Sequence, residues 1–159
     1  MKTIALIERG KDGSFGIFTP DIKSNIIGTG FTVAEAKADL ENSVIEVKEM
    51  FEDMGRPLPD ELRDIEFEYK WDISSLFEYF KWINVSKLAE TLGITPSLMR
   101  YYKKKGIYVS DVQAQKIEDG LFCLADELKT IQVTQRYNTK SSITRINPAS
   151  AKALAAVGG

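Results

Sequence analysis

The side chains best suited to contact a polyanion lie between positions 95 and 105. Thr95-Pro96 is typical of a helix start, because threonine caps the first turn and proline needs no hydrogen-bond donor there. The segment that follows carries one arginine and three lysines and has no acidic residue. A short helix of this kind suits the floor of a DNA major groove. The residues predicted to contact DNA are Thr95, Ser97, Arg100, Tyr101, Lys103 and Lys104.

A helix is also predicted just before this segment, which completes a helix–turn–helix. Asn84 can cap that helix, and Gly93 supplies the positive φ that a tight turn needs. The side chains expected to face inward are Val85, Leu88, Ala89, Leu92, Leu98, Met99 and Tyr102. The alternative interpretation is an ordinary helical hairpin whose lysines form a solvated helix end, where positive charge is favourable.

Candidate catalytic residues are few. The chain has no histidine, which removes Ser–His, Cys–His and histidine–metal chemistry. Its single cysteine, Cys123, lies in an apolar helical stretch and is predicted to be a core residue. Only Glu8, Asp12 and Asp21 are acids placed at the ends of predicted strands, and Asp12 occupies a turn where aspartate is ordinary. We therefore predict no enzymatic activity, no metal and no cofactor, with a metal-dependent nuclease as the remaining enzyme hypothesis.

Residues 1–72 have the pattern of an α+β domain. Strands are predicted over 2–8, 14–19, 26–31 and 65–71, the last with strict apolar–polar alternation. Gly28 and Gly30 loosen the third strand and would permit a bulge or close packing by a helix. Thr32 and Glu35 form a capping box before a helix that Gly55 ends. Its predicted apolar stripe is Val33, Ala36, Leu40, Val44, Val47, Phe51 and Met54.

Charge separates the chain into two halves of opposite sign. Residues 1–72 hold nine basic and sixteen acidic residues, a net charge of −7, whereas residues 73–159 hold twelve and seven, a net charge of +5. The basic half fits a polyanion, and the acidic half would attract a basic protein. An acidic surface that only keeps the protein in solution is the alternative.

Three N-terminal motifs resemble those of HicB-type antitoxins. They are Gly13–Asp21 (GSFGIFTPD), Gly30–Ala36 (GFTVAEA) and Pro57-Leu-Pro59, and together the resemblance covers roughly residues 2–71. The resemblance implies a partial ribonuclease-H-like fold that binds and silences a HicA-like toxin, a small basic RNase, and a C-terminal module that represses the operon. Ser24-Asn25-Ile26 departs from the Gly-Cys pair of many relatives. With the net charge of −7, the resemblance makes Asp21, Glu35 and Asp39 the candidate toxin contacts.

Beyond residue 72 the pattern is helical. A helix over 73–83, capped by Ser74 or Ser75, is expected to place Leu76, Phe77 and Phe80 inward. A longer helix over 110–131 carries an apolar stripe at heptad spacing, and this stripe either closes the domain core or mediates dimerisation. The stripe is Ile117, Leu121, Leu124, Leu128 and Ile131. Residues 134–159 have basic residues and no acid, and we expect a flexible tail there, with a phosphate-contacting arm as the alternative.

These expectations combine into one hypothesis. The predicted fold is α+β, with a β-β-β-α-β partial ribonuclease-H-like domain over 1–72, an all-α helix–turn–helix domain over 73–133 and a tail over 134–159. The predicted function is a type II antitoxin that neutralises a HicA-like toxin and represses its own operon; a transcriptional regulator with a ligand-sensing or oligomerising N-terminal domain is the alternative. Expected partners are the toxin, double-stranded operator DNA and a second copy, as a homodimer or dimer of dimers. With no apolar run of membrane-spanning length and no signal peptide, we expect a cytoplasmic location.

Overall fold

The N-terminal part of the chain is a four-stranded sheet covered by one long helix. The computed structural model describes residues 2–133. The strands are β1 (Lys2–Arg9), β2 (Phe15–Phe18), β3 (Ile27–Gly30) and β4 (Glu66–Trp71), and their order in the sheet is β3-β2-β1-β4. β2 is antiparallel to β1 and β3, whereas β4 is parallel to β1. Helix α1 (Val33–Asp53) and the short α2 (Asp60–Arg63) connect β3 to β4. The mixed α and β composition expected from the sequence is confirmed; α2 was not predicted.

Helix α1 begins at the predicted capping box and packs on one face of the sheet. The Glu35 amide donates to Thr32 Oγ1 at 3.1 Å, and Glu35 Oε2 accepts from the Thr32 amide at 3.3 Å. The helix can approach β3 closely because residue 28 is a glycine: a Cβ there would overlap the backbone of α1. Its buried residues are Ala36, Leu40 and Val44. The predicted stripe extends too far, since Met54 is the C-cap residue past the last helical turn and is 57% exposed.

Within residues 2–133, four helices follow the sheet. They are α3 (Ile73–Tyr79), α4 (Val85–Thr91), α5 (Pro96–Tyr102) and α6 (Asp111–Lys129). The predicted first helix is too long, because it ends at Tyr79 rather than near Ile83. Its cap was also assigned to the wrong residue: Asp72 accepts from the Ser75 amide at 2.9 Å, whereas Ser74 and Ser75 are themselves buried.

The described residues form two hydrophobic clusters, one from residues before Asp72 in the sequence and one from residues after it. The first is built by the sheet, α1 and α2, and its buried members are Ala5, Ile7, Phe15, Ile17, Ile22, Ile26, Ala36, Leu40, Val44 and Leu62. The second is built by α3 to α6, and its buried members are Phe77, Val85, Leu88, Ala89, Ile94, Met99, Tyr102 and Ile117. Both clusters belong to one compact unit, Met1–Leu121, and a second unit begins at Phe122. The boundaries proposed at 72 and 133 stay predictions.

Helix α6 belongs to the first unit up to Leu121. Gly120 lies against α4, because a Cβ at this position would overlap the side chain of Leu92. Ile117 is buried and Leu121 is half-buried, as the stripe predicted. None of the helices described between residues 2 and 133 is long and apolar enough to cross a membrane.

In the second unit the described residues are 122–133. Cys123 was predicted to be a core residue, and this is wrong: its side chain is exposed, as are Leu128 and Ile131 of the predicted stripe. The apolar stripe at heptad spacing continues through these residues. Only its first two members, Ile117 and Leu121, pack into the second hydrophobic cluster. Dimerisation through α6 stays a prediction, and the basic tail predicted over 134–159 lies outside the described residues.

Candidate nucleic-acid interface

Helices α4 and α5 are joined by a tight turn whose residues fit their positions. The Asn84 side chain caps α4 by accepting from the Lys87 amide at 3.1 Å. Gly93 has a φ of +64°, which a residue with a Cβ adopts only with strain. The Ile94 amide then donates to the Ala89 carbonyl at 2.9 Å, and Ala89 is fully buried where the two helices meet. The turn therefore fixes the direction in which α5 leaves α4.

Helix α5 begins as the sequence predicts and exposes most of the predicted contact residues. Thr95 Oγ1 accepts from the Leu98 amide at 3.3 Å, so Thr95 serves as the N-cap. Met99 and Tyr102 are buried, as expected. The predicted contact residues Ser97, Arg100, Tyr101, Lys103 and Lys104 are all exposed.

Leu98 corrects one expectation on this helix. It was predicted to face inward, but it is 37% exposed. Leu98 lies about 100° around the helix from the buried Met99, on a side of α5 that is left exposed. The exposed surface of α5 therefore contains an apolar side chain beside its polar and basic ones.

Two serines hold the side chain of Arg100. Its Nη1 donates to Ser86 Oγ at 3.3 Å, and its Nη2 donates to Ser97 Oγ at 3.2 Å. Ser86 lies on α4 and Ser97 on α5, so the guanidinium spans the two helices at the exposed surface. Fixing a long side chain before it meets a ligand reduces the entropy lost on binding. The sequence did not point to Ser86, because only the folded arrangement brings position 86 next to position 100.

The lysines near the end of α5 differ in their surroundings. Lys104 Nζ lies 5.6 Å from the centre of the Tyr101 ring, so these two predicted contact residues are neighbours. Lys103 is the C-cap residue, and its side chain is exposed. Lys105 was not predicted as a contact, and its Nζ donates to the Arg9 carbonyl oxygen at 3.4 Å. No acidic residue lies between positions 95 and 110, so this surface attracts anions.

The acids predicted to bind a basic protein have internal partners as well. Asp39 Oδ2 accepts from the Thr29 amide at 2.7 Å, and Glu35 Oε2 accepts from the Phe31 amide at 2.8 Å. Both carboxylates therefore close the outer edge of β3. These bonds use one oxygen of each carboxylate. Asp21 is exposed in the turn after Pro20, in the loop between β2 and β3.

The same loop is held by a contact that the sequence did not suggest. Glu61 of α2 accepts from the Ser24 amide at 3.1 Å and from the Ser24 hydroxyl at 2.5 Å. The bond from the hydroxyl lowers the pKa of the Glu61 carboxyl. The next residue, Asn25, has a φ of +35°, a left-handed conformation that asparagine tolerates better than most residues. Ser24-Asn25 thus forms a defined turn where the resembled family often has Gly-Cys.

The acids considered for metal binding have no shared site. Asp12 accepts from the Ser14 hydroxyl at 2.6 Å and from the Ser14 amide at 3.0 Å, and the hydroxyl lowers the pKa of the Asp12 carboxyl. This is the turn role that the sequence suggested. Glu8 is exposed near the end of β1. Within residues 2–133, no group of three or more acidic or cysteine side chains is arranged to hold a metal ion.

An aromatic row joins the sheet to α3. Phe15 and Trp71 of the sheet both contact Tyr79 of α3, with ring centroids 5.3 Å and 5.7 Å apart respectively. The Arg9 guanidinium lies 5.0 Å from the Tyr79 ring centre, and the Arg9 amide donates to Ser75 Oγ at 3.0 Å. These contacts fix α3 to the end of β1. Alternation within the last strand predicted that Trp71 would be inward, but no pattern indicated its partner.

Comparison of the chain with protein-family models, curated proteins and solved structures finds no match.

Proposed function

We propose that this protein is a DNA-binding antitoxin: a helix–turn–helix formed by α4 and α5 recognises an operator, and the N-terminal domain masks a basic RNase toxin. The observation that carries the proposal is the outer surface of α5, where Arg100 is held in place beside exposed Tyr101, Lys103 and Lys104 and no acid intervenes. In this proposal α5 lies in the major groove.

Each residue on this surface has a distinct role in the proposal. The Arg100 guanidinium donates to the O6 and N7 atoms of a guanine, the geometry that arginine favours in base recognition. Ser97 and Tyr101 contact neighbouring base edges or the sugar–phosphate backbone. Lys103 and Lys104 bind phosphates and position the helix without reading sequence. The exposed Leu98 fits the methyl group of a thymine, which polar side chains do not recognise.

The antitoxin part of the proposal rests on charge and on the resemblance to HicB-type proteins. The N-terminal residues carry a net charge of −7, and apart from the short α2 their elements follow the β-β-β-α-β order that we propose for a partial ribonuclease-H-like fold. A basic RNase bound to this surface would be kept away from its RNA substrate. Asp21, Glu35 and Asp39 are the proposed contacts, and for the last two the second carboxylate oxygen would meet the toxin.

A promoter reporter in cells tests the DNA-binding function. We expect wild-type protein to repress a reporter gene driven by the protein's own promoter. The Ser97/Arg100/Tyr101 triple-alanine variant should not repress this reporter. Lys2→Ala is the matched control, because Lys2 is an exposed basic residue at the start of β1, the opposite end of that strand from the Arg9 carbonyl that Lys105 contacts. Repression by the triple variant at the wild-type level, with equal protein abundance, would overturn the proposal.

Growth rescue tests the antitoxin function. The toxin to co-express is the small basic protein that the proposal expects the gene beside this one to encode. We expect the full-length chain to restore growth and an Asp21→Asn/Asp39→Asn variant to restore it less well. Asparagine keeps an acceptor for the Thr29 amide, so the edge of β3 stays closed while the charge is lost. If the wild-type chain leaves growth arrested, the regulator with a sensing or oligomerising N-terminal domain becomes the better interpretation.

A further inference from the structure

The turn between β1 and β2 lies against the end of the proposed DNA-binding helix. Lys105, just after the end of α5, extends its Nζ to the Arg9 carbonyl oxygen at 3.4 Å. Arg9 is the last residue of β1, and Gly10–Ser14 form the turn that follows it. The basic segment at the end of α5 therefore continues across this contact onto a turn of the N-terminal sheet.

This turn is fixed by its own hydrogen bonds. The Gly10 amide donates to the Ser14 carbonyl at 2.8 Å, and the Gly13 amide donates to the Gly10 carbonyl at 3.1 Å. The Asp12 carboxylate accepts from the amide and the hydroxyl of Ser14. Lys11 is exposed in the same turn, and its side chain takes part in none of these bonds. The turn thus presents the Lys11 ammonium group to solvent from a defined backbone.

Arg9 supplies a second positive charge, which aromatic rings hold in place. Its guanidinium lies 5.4 Å from the centre of the Phe15 ring and 5.0 Å from that of Tyr79. Such rings attract a cation but do not cancel its charge. The Arg9 amide donates to Ser75 Oγ, and the Asp72 carboxylate is used in capping α3, where it accepts from the Ser75 amide at 2.9 Å. The positive charge of Arg9 therefore has a set position.

Arg9, Lys11 and Lys105, which we call the basic junction, have no carboxylate partner among residues 2–133. Four other basic side chains of that range form ion pairs at 3.0 to 3.5 Å, whereas these three form none. The acids nearest to them in sequence are Asp12, which is bonded within the turn, and Glu8. Side chains alternate along a strand, so Glu8 lies on the opposite face of β1 from Arg9. The junction is therefore positive, although the N-terminal half of the chain is acidic as a whole.

We propose that the basic junction binds the DNA backbone: Lys11 and Lys105 contact phosphates beside the bases that α5 recognises. This inference rests on the proposed operator recognition and adds a turn of the N-terminal sheet to the DNA interface. Phosphates recur about every 3.4 Å along each strand of a duplex, so cations on neighbouring elements can meet phosphates of one duplex. Arg9 adds positive potential at the same place.

Continuity with α5 favours DNA over other anionic partners. Lys103 and Lys104 are proposed phosphate contacts, and Lys105 follows them directly in a segment without an acid. A duplex that reaches these two lysines comes next to Lys105 and so to the β1–β2 turn, whereas an acidic protein has no such constraint on its position. A basic toxin would be repelled here. Because phosphate contacts position a protein without reading bases, the junction should strengthen binding to any DNA sequence.

The salt dependence of DNA binding tests this inference. The full-length Lys11→Ala/Lys105→Ala variant is compared with wild type on a duplex from the protein's own promoter and on a scrambled duplex of equal length. We expect the variant to bind both duplexes more weakly by the same factor and to keep the preference for the promoter. Loss of two phosphate contacts should reduce the slope of log binding constant against log salt concentration by about 1.8. The advantage of wild type should then shrink about ten-fold between about 50 and 200 mM salt.

Lys2→Ala/Lys23→Ala is the matched control, because it removes the same charge at the other end of the sheet. Lys2 begins β1, and Lys23 lies in the loop after β2; both are exposed. This control should have the affinity and the salt slope of wild type. A retained promoter preference in the Lys11→Ala/Lys105→Ala variant shows that its α5 is folded and correctly placed.

The outcomes separate this inference from the proposed function. If wild type prefers the promoter but the Lys11→Ala/Lys105→Ala variant has the affinity and salt slope of the control, the inference is overturned and operator recognition stands. A variant that loses the promoter preference also overturns it, because the lysines would then act on base recognition. If wild type binds both duplexes equally, operator recognition fails, and a reduced slope in the variant still supports the phosphate contacts. Wild type that binds neither duplex overturns both.

Discussion

Arg100 is the residue on which the DNA-binding proposal depends most. Its two serine partners hold the guanidinium at the exposed junction of α4 and α5. A lysine would be a poorer replacement, because an ammonium group lacks the planar fork of donors with which arginine contacts O6 and N7 of guanine together. Ser86 has a positioning role in this arrangement and is not expected to contact DNA itself.

Substitutions at these two positions should separate contact from positioning. We expect Arg100→Ala to weaken operator binding by about 1–3 kcal/mol and to relax specificity at one base pair. Arg100→Lys should keep phosphate attraction but lose most of that specificity. Ser86→Ala should weaken operator binding less than Arg100→Ala and leave the preferred base unchanged. Competition binding with operator variants that differ at single base pairs measures the affinity and base preference of all three protein variants. If Arg100→Lys distinguishes these operators as well as wild type does, the assignment of guanine recognition to Arg100 is contradicted.

Tyr69 gives a second prediction at the level of one residue. Burial, the hydrogen bond to Glu41 and the charge of Glu41 raise the pKa of the Tyr69 phenol to about 12. The folded state therefore favours neutral Tyr69, and the stability that this provides is present below pH 10 and lost as pH rises to about 12. We expect the free energy of unfolding to fall more steeply between pH 10 and 12 in wild type than in Tyr69→Phe. Denaturant unfolding at a series of pH values tests this, and parallel curves would contradict it.

At the level of elements, the packing of α6 on α4 depends on a glycine inside a helix. Helix propensity alone says that Gly120→Ala should stabilise the protein by about 1 kcal/mol. Because a Cβ at 120 would overlap the Leu92 side chain, we expect the opposite sign, a destabilisation of about 1–3 kcal/mol.

Thermal or denaturant unfolding of wild type and four variants checks this sign: Gly120→Ala, Leu92→Ala, the Leu92→Ala/Gly120→Ala double variant and Glu118→Ala. Leu92→Ala should lower stability by itself, but Gly120→Ala should cost little in that background, because the overlap is gone. Glu118→Ala, an exposed change on the same helix, should have a small effect and controls for helix propensity. A stabilised Gly120→Ala protein would mean that the Leu92 side chain moves aside at little cost and that the close approach of Gly120 to it is not required.

The elements also show where pattern reasoning works and where it stops. Local signals such as Thr32 with Glu35, Thr95-Pro96 and the alternation in β4 placed most helix and strand starts correctly, because caps and faces are short-range effects. Contacts between distant residues carry no such signal. The bond between Ser86 and Arg100, the Glu61 contact to Ser24 and the closed β3 edge all require the folded chain.

Errors of burial have the same origin. Leu98 and Cys123 have apolar neighbours in sequence, and the pattern assigned both to the core. Leu98 is exposed because its side of α5 is not covered, whereas Met99 points into the second cluster. Cys123 lies in the second unit, and its side chain is exposed because no described residue covers it. Periodicity thus predicts which face is apolar, and only the fold decides whether that face is covered.

At the scale of the whole molecule, opposite charges are carried by different parts of one chain. The net charge of −7 over residues 1–72 and +5 over 73–159 would let two oppositely charged partners bind without competing. Raising salt should weaken DNA binding through the basic part, because counterions released from the DNA gain less entropy when the bulk salt concentration is high. It should slow association with a basic toxin more than it speeds dissociation.

Direct binding of the full-length protein to a labelled duplex from its own promoter tests the central claim best. Fluorescence anisotropy compares this duplex with a scrambled one of equal length, for wild type and for the Ser97/Arg100/Tyr101 triple-alanine variant. We predict that wild type prefers the promoter duplex by roughly 10³-fold or more. The triple variant should bind both duplexes weakly and about equally. Equal affinity of wild type for the two duplexes, or unchanged promoter preference in the triple variant, would contradict the account.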